Sequence, residues 1–205
     1  MKVDVLPIGL YQENIYILHD KGHVLIVDPG RYAGEIIRCI GKDETVDGII
    51  LTHGHDDHTG AADDTADEYG CPVYLHPADR ILVDPDAVKY GFDAPVYHEI
   101  TDLNQGEIQV GIFPLTVYHT PGHTAGSVCV RYRGLLFSGD TLFAGSVGRT
   151  DLYSGDDAQM NSSLQFLLTL PNDLKVLPGH GPATTIGRER QMNPFLVSMA
   201  GSDRT

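Results

Sequence analysis

The chain has 205 residues, 41% hydrophobic and 20% charged, a balance that excludes disordered and fibrous classes and suits one compact domain spanning 1–205. Its formal net charge of -14, from 28 acidic against 14 basic side chains, repels phosphate backbones and anionic lipid, so neither nucleic acid nor membrane is an expected partner. No window is apolar for long enough to cross a bilayer, and Asp4 follows Met1-Lys2-Val3 where a secretory signal would begin its apolar run, so a cytoplasmic location is expected.

Val3 to Gly9, Asn14 to His19 and His23 to Asp28 are rich in β-branched residues and separated by turn-formers, which predicts three antiparallel strands with a hairpin at Asp20-Lys21-Gly22. Asp28-Pro29-Gly30 breaks the sheet, and Ile36, Ile37 and Ile40 recur at helical spacing within Ala33 to Ile40. A strand over Val46 to Leu51 then runs into Thr52-His53-Gly54-His55-Asp56-Asp57-His58-Thr59-Gly60. A helix is predicted over Ala61 to Tyr69, closed by Gly70 with Pro72 beyond it.

The second half predicts strands at Ile108 to Phe113, Leu115 to His119, Val128 to Arg133 and Leu135 to Ser138. The best helix is Asp156 to Leu170, with Met160, Leu164, Leu167 and Leu168 on one face. A short strand, Lys175 to Leu177, leads into Pro178-Gly179-His180-Gly181, and a last helix is expected from Arg188 towards Asn193. Each half reads as strands followed by helices, which suggests two sheets face to face with helices on both outer sides. Runs such as Asp56-Asp57, Asp63-Asp64 and Asp156-Asp157 are more often solvated faces than sites. Cys39, Cys71 and Cys129, odd in number and widely spaced, fit reduced structural thiols.

The histidines carry the chemistry. One His after a strand is usually a surface or satisfied core residue, but His53, His55, Asp57 and His58 put four candidate ligands into six residues. Positions 53 and 55 can point to one ion while 57 and 58 point to another. His123 follows Thr120-Pro121-Gly122, Asp140 ends a strand and His180 follows Pro178-Gly179, each placed where a rigid sheet can aim a side chain from a loop. Imidazole suits zinc and a carboxylate can bridge two cations, so five His and two Asp make two sites of four or five ligands each once a shared water is added. His19, His23, His76, His98 and His119 lie off this pattern, and strand alternation should turn His119 away from His123.

From Asp4 to Leu196, with His53-Gly54-His55-Asp56-Asp57-His58 joined in order by His123, Asp140 and His180, the chain resembles the metallo-β-lactamase superfamily. The resemblance implies an αββα four-layer sandwich of the α/β (α+β) class with two divalent metal ions at one edge between the sheets, zinc the first guess and iron or manganese possible. It implies that His53, His55 and His123 hold the first ion, Asp57, His58 and His180 the second, and Asp140 bridges them. Asp140 to Asp151, and Pro178-Gly179-His180-Gly181-Pro182 with Arg190 to Leu196 after it, resemble the short glyoxalase II-like hydrolases of bacteria. The chain stops soon after Leu196, so the C-terminal helical domain of full-length glyoxalase II, which supplies glutathione contacts, is not expected.

That resemblance implies hydrolysis of a small-molecule thioester of the S-lactoylglutathione type by a metal-bound hydroxide, with Asp57 orienting the nucleophile. Arg149 replaces the family's Lys and could meet a substrate carboxylate or brace its loop against Asp151. Tyr153 could line the pocket or simply pack. The rival is an iron-dependent persulfide dioxygenase of the same fold, which would use His53, His123 and Asp140 and leave the other ligands idle. Such enzymes follow the last His with Asp-Tyr, where this chain has Gly181-Pro182.

Overall fold

The computed structural model describes residues 1–9 and 12–202. β1 (Lys2–Ile8), β2 (Glu13–Asp20) and β3 (His23–Val27) form an antiparallel meander, with Lys2 opposite His19 and Asp20 opposite His23. Lys21 and Gly22 take φ of 52° and 79°, the two positive values that let a two-residue turn match the twist of its strands. After α1 (Ala33–Cys39), β4 (Thr45–Ile50) adds parallel to β3. α2 (Asp56–Thr59) and α3 (Ala62–Tyr69) precede β5 (Val73–Leu75) and β6 (Ile100–Asp102), which extend the sheet in parallel to the order β1-β2-β3-β4-β5-β6.

The second sheet has the order β14-β13-β10-β9-β8-β7. It is built from β7 (Gly106–Val110), β8 (Phe113–His119), β9 (Val128–Tyr132), β10 (Leu135–Gly139), β13 (Lys175–Pro178) and β14 (Thr184–Thr185). Between β10 and β13 run the small hairpin β11 (Leu142–Phe143) and β12 (Ser146–Val147) and then α4 (Asp157–Leu167). α5 (Ile186–Met192) and α6 (Pro194–Ser202) follow β14.

Alternation along the strands sends side chains to both faces, and both faces find cover. Leu18, Leu25 and Val27 of the first sheet meet Phe113, Val117, Val130 and Phe137 of the second in one apolar layer. On the first sheet's outer face Ile15, Ile17, Ile26 and Ile49 pack with Ile36 of α1 and Ala62 and Ala66 of α3. On the second's, Cys129, Leu136 and Val176 pack with Met160, Leu164 and Leu167 of α4, Ile186 of α5 and Leu196 of α6. The expected α/β/β/α layering is thus built from a two-sided use of each sheet. Among the described residues no helix is long and apolar enough to cross a membrane.

Several boundaries differ from the sequence reading. The break between β7 and β8 falls at Gly111-Ile112, with Gly111 at φ 51°, and not at Pro114. Pro114 is tolerated inside β8 because β9 pairs with that strand only from Thr116 onwards, so the missing N–H costs no ladder bond there. α4 stops at Leu167, short of the expected Leu170, and Asp156 caps it from outside by accepting from the Gln159 amide at 2.8 Å. β5, β6, β11, β12 and β14 are only two or three residues long and lie below what periodicity can detect. Cys39, Cys71 and Cys129 are free thiols, and burial pushes Cys71 and Cys129 up to about 11.

Phe137 is fully buried between the sheets, its ring edge-on to Tyr16 at 5.3 Å. Phe137→Ala should therefore cost about 3–5 kcal/mol in urea unfolding, and loss of the α4 cap in Asp156→Ala only about 1 kcal/mol.

Candidate metal centre

All the predicted ligands sit where a strand ends. β4 delivers the chain through buried Leu51 and Thr52 to His53, at a bend, and on to His55, whose extended backbone makes it the N-cap of α2. Asp57 and His58 project from this single helical turn, held by His58 N–H donating to His55 O at 3.0 Å. The sequence cluster therefore runs from an irregular segment carrying His53 and His55 into a helical turn carrying Asp57 and His58. His123 lies in the loop after β8, Asp140 immediately follows β10 and His180 follows β13 after Gly179.

The structure brings all seven side chains together. Ligand atoms of His53, His55 and His123 lie within 4.8 Å of one another, as do those of Asp57, His58 and His180, and those of His53, His58 and Asp140. Asp140 is 3.5 Å from His58 Nε2 and His123 Nε2 and 3.4 Å from His180 Nε2, so one carboxylate touches both groups. His180 Nε2 is 3.4 Å from Asp57 Oδ2. His119 does turn away: its Nε2 donates to Ala125 O at 2.8 Å and its ring stacks on His76 at 4.2 Å.

Two features of this cluster fit divalent cations. His53 Nε2, His55 Nε2 and Asp140 Oδ1 are buried with no hydrogen-bond partner, a cost that folding rarely tolerates without a ligand. Imidazole nitrogens also face one another at 2.9 Å (His123 Nε2 to His55 Nδ1) and 3.3 Å (His58 Nε2 to His180 Nε2). Lone pairs at that separation repel unless a proton or a cation lies between them. His123 Nδ1 donates to Arg149 O at 2.7 Å, which leaves its Nε2 as the free electron pair.

The electrostatics agree. Burial, helped by His58 and His55, pushes His53 well below its ordinary value, so it stays the neutral imidazole that binds metal. Burial would also depress His180, but hydrogen bonds to Asp140 and Asp57 outweigh it and hold that ring up at about 10. For Asp57, burial is outweighed by His180 and His58, which hold its carboxyl below the usual range. The carboxylates draw positive charge to this spot, as a cation site requires.

Sequence reasoning missed three acids. Asp28, 1% exposed and at φ 52°, accepts from Thr52 N–H and Thr52 Oγ1 at 2.7 Å each and from His58 Nδ1 at 3.0 Å, fixing the His58 tautomer. Asp79, fully buried, accepts from Gly54 N–H at 3.0 Å, Thr124 Oγ1 at 2.6 Å and Gly126 N–H at 2.6 Å, clamping the His53–His55 segment to the His123 loop. Glu13 opens β2 beside the site, its carboxyl lifted to about 9 by burial despite nearby His58. A non-glycine at φ > 0 gave Asp28 its only local signal, and that is invisible without coordinates.

The ligands floor a cleft of about 650 Å³ whose walls include Arg31, Phe92, Arg149, Leu152 and Tyr153. Phe92 stacks on His55 at 5.1 Å. Arg149 reaches the cleft, but its Nε and Nη2 donate to Asp151 at 2.6 and 2.7 Å.

Residues 8–180 match the model of the metallo-β-lactamase superfamily, and the chain belongs to that superfamily. It is a metal-dependent hydrolase of the superfamily, with its candidate His/Asp site at the sheet ends. It is 34% identical to a hydroxyacylglutathione hydrolase of Haemophilus influenzae, over 97% of this chain and 99% of that one. Among solved structures it is similar to the B3 metallo-β-lactamase BLEG-1, with 38% identity and a TM-score of 0.88 over 95% of this chain and 99% of the other. It is similar also to TTHA1623, solved in a di-iron-bound form, with 37% identity and a TM-score of 0.84 over 95% of this chain and 100% of the other.

Asp28→Asn should weaken metal binding by about 10–100-fold in competition with a chromogenic chelator, with Asp64→Asn, on the exposed face of α3, unchanged. A Cβ at Gly179 would overlap Asp140 Oδ1 and His58 Cε1. Gly179→Ala should accordingly lower the metal bound per chain, measured by elemental analysis after dialysis.

Proposed function

We propose that this chain, one domain over 1–205, is a cytoplasmic dinuclear hydrolase that cleaves acyl thioesters of the S-lactoylglutathione type. His53, His55 and His123 would hold one divalent ion, Asp57, His58 and His180 a second, and Asp140 would bridge them. Zinc is the ion proposed, since five imidazoles and two carboxylates suit it; iron, which the similar TTHA1623 structure contains, is the competing choice. The observation that carries this reading is the convergence of all seven side chains with Asp140 between the two groups. A mononuclear iron site of the dioxygenase kind would need three of them and leave buried His58 without a task.

Two such ions supply a lowered water pKa, from about 15.7 towards 7, and Lewis-acid polarisation of a carbonyl. The protein's own groups do the rest. Asp57, ionised and partly exposed to the cleft, accepts a hydrogen bond from the attacking water and orients it. Phe92 over His55, with Leu152 and Tyr153 lining the same cleft, shields the reacting carbonyl from bulk water. A thiol of pKa near 8.5 departs as thiolate without a dedicated acid. The similarity to a hydroxyacylglutathione hydrolase matched over 99% of its length supports the thioester; the similarity to BLEG-1 makes a β-lactam the substrate to test against it.

The purified protein should contain two zinc per chain and hydrolyse S-lactoylglutathione faster than a cephalosporin. Asp57→Ala should lower that turnover by about 10²-fold or more. One iron per chain, with oxygen uptake on glutathione persulfide and no thioester cleavage, would replace this reading with the dioxygenase.

A further inference from the structure

The cleft is lined by two arginines, and they are not equivalent. Arg149 spends its guanidinium on Asp151 through two parallel hydrogen bonds, so its charge is already matched. Arg31 lines the same cleft, is exposed, and has no ion pair or hydrogen bond to any described residue. A guanidinium left unmatched on a protein of net charge -14 stands out, because carboxylates are abundant and Asp56 and Asp57 line the same cleft.

The backbone beneath Arg31 is fixed at each side. Asp28, held in its left-handed conformation by Thr52 and His58, begins the turn, and Gly30 N–H donates to Asp28 O at 2.9 Å. Pro29 O accepts from Ala61 N–H at 2.8 Å. A Cβ on Gly30 would overlap the Asp57 carbonyl, so the strand end rests directly against the ligand-bearing turn. On the far side Tyr32, at φ 58°, starts α1. Arg31 is thus carried one residue from a backbone pinned to the metal centre, and only its side chain must be ordered when it meets a ligand.

We propose, resting on the thioester reading above, that Arg31 is the specificity residue of the cleft and that the substrate is a thioester bearing a free carboxylate away from the scissile bond. The planar fork of Arg31 takes the carboxylate in two hydrogen bonds. The apolar part between carboxylate and carbonyl lies against Phe92, Leu152 and Tyr153, and the carbonyl reaches the ligand floor. Arg149 contributes position to its loop and His123, not charge to the substrate.

The test uses two pairs of twins on the zinc-loaded full chain. In one pair the thiol carries the charge, S-acetyl-3-mercaptopropionate against S-acetyl-3-mercaptopropionamide. In the other the acyl group carries it, the succinyl against the succinamoyl thioester of N-acetylcysteamine. Wild type should prefer one carboxylate twin by 10-fold or more in kcat/KM, through KM, and which pair shows it assigns the carboxylate to thiol or acyl side. In Arg31→Gln that preference should fall to about twofold or less while the carboxamide twin is still hydrolysed. Arg149→Gln should retain it. Turnover without preference in wild type, or a preference that survives Arg31→Gln, overturns the assignment and leaves thioester hydrolysis standing. If wild type cleaves none of the four, the thioester reading fails, and the thioether counterparts of the same pairs, titrated calorimetrically, decide Arg31. Carboxylate-selective binding lost in Arg31→Gln upholds its role, and binding blind to the carboxylate ends it.

Discussion

Everything at the sheet ends depends on how a buried negative charge is satisfied. Asp28 and Asp140 stand among four of the protein's most buried imidazoles, and such charges are costly in a low-dielectric interior unless each lone pair is met. Asp28 is met completely, by two bonds from Thr52 and one from His58. Asp140 is not, since Oδ1 has no hydrogen-bond partner. The contrast separates support from function: one carboxylate is closed by the fold, the other is left open to a cation.

Asp28 and Asp79 perform parallel tasks. Asp28 joins the end of β3 to Thr52, just beyond β4, and to α2, so that His58 is oriented from behind. Asp79, from the turn after β5, ties Gly54 to Thr124 and Gly126, so that the loops carrying His55 and His123 are braced by one side chain. Both use backbone amides as partners, which fixes main chain and not only rotamers. A site built on loops gains from such braces the precision that helices and strands possess already.

The core layering was legible because periodicity is: strands β1 to β4 and β7 to β10 alternate or are buried throughout, and α4 repeats its apolar face. The ligand cluster was legible because four candidate ligands in six residues are rare by chance. The ligands after β8, β10 and β13 carried a weaker signal, since a lone His or Asp after a strand is ordinary chemistry, and only the family pattern divided them between two ions. Asp28, Asp79 and Glu13 stayed hidden for the same reason, being single acids among 28. β5 and β6 were missed because three residues carry too little pattern, although they set the edge of the first sheet.

The ligands are drawn from both sheets: His53, His55, Asp57 and His58 follow β4 of the first, whereas His123, Asp140 and His180 follow β8, β10 and β13 of the second. Asn14 of β2 already spans the divide, its N–H on Gly179 O at 2.7 Å and its side-chain amide on Pro178 O at 3.0 Å and Gly181 O at 2.8 Å. An ion seated among these residues would therefore act as a rivet through the sandwich. Its binding free energy would add to the cohesion of the two halves, so resistance to heat and proteolysis would rise and fall with the free concentration of that metal in the surroundings.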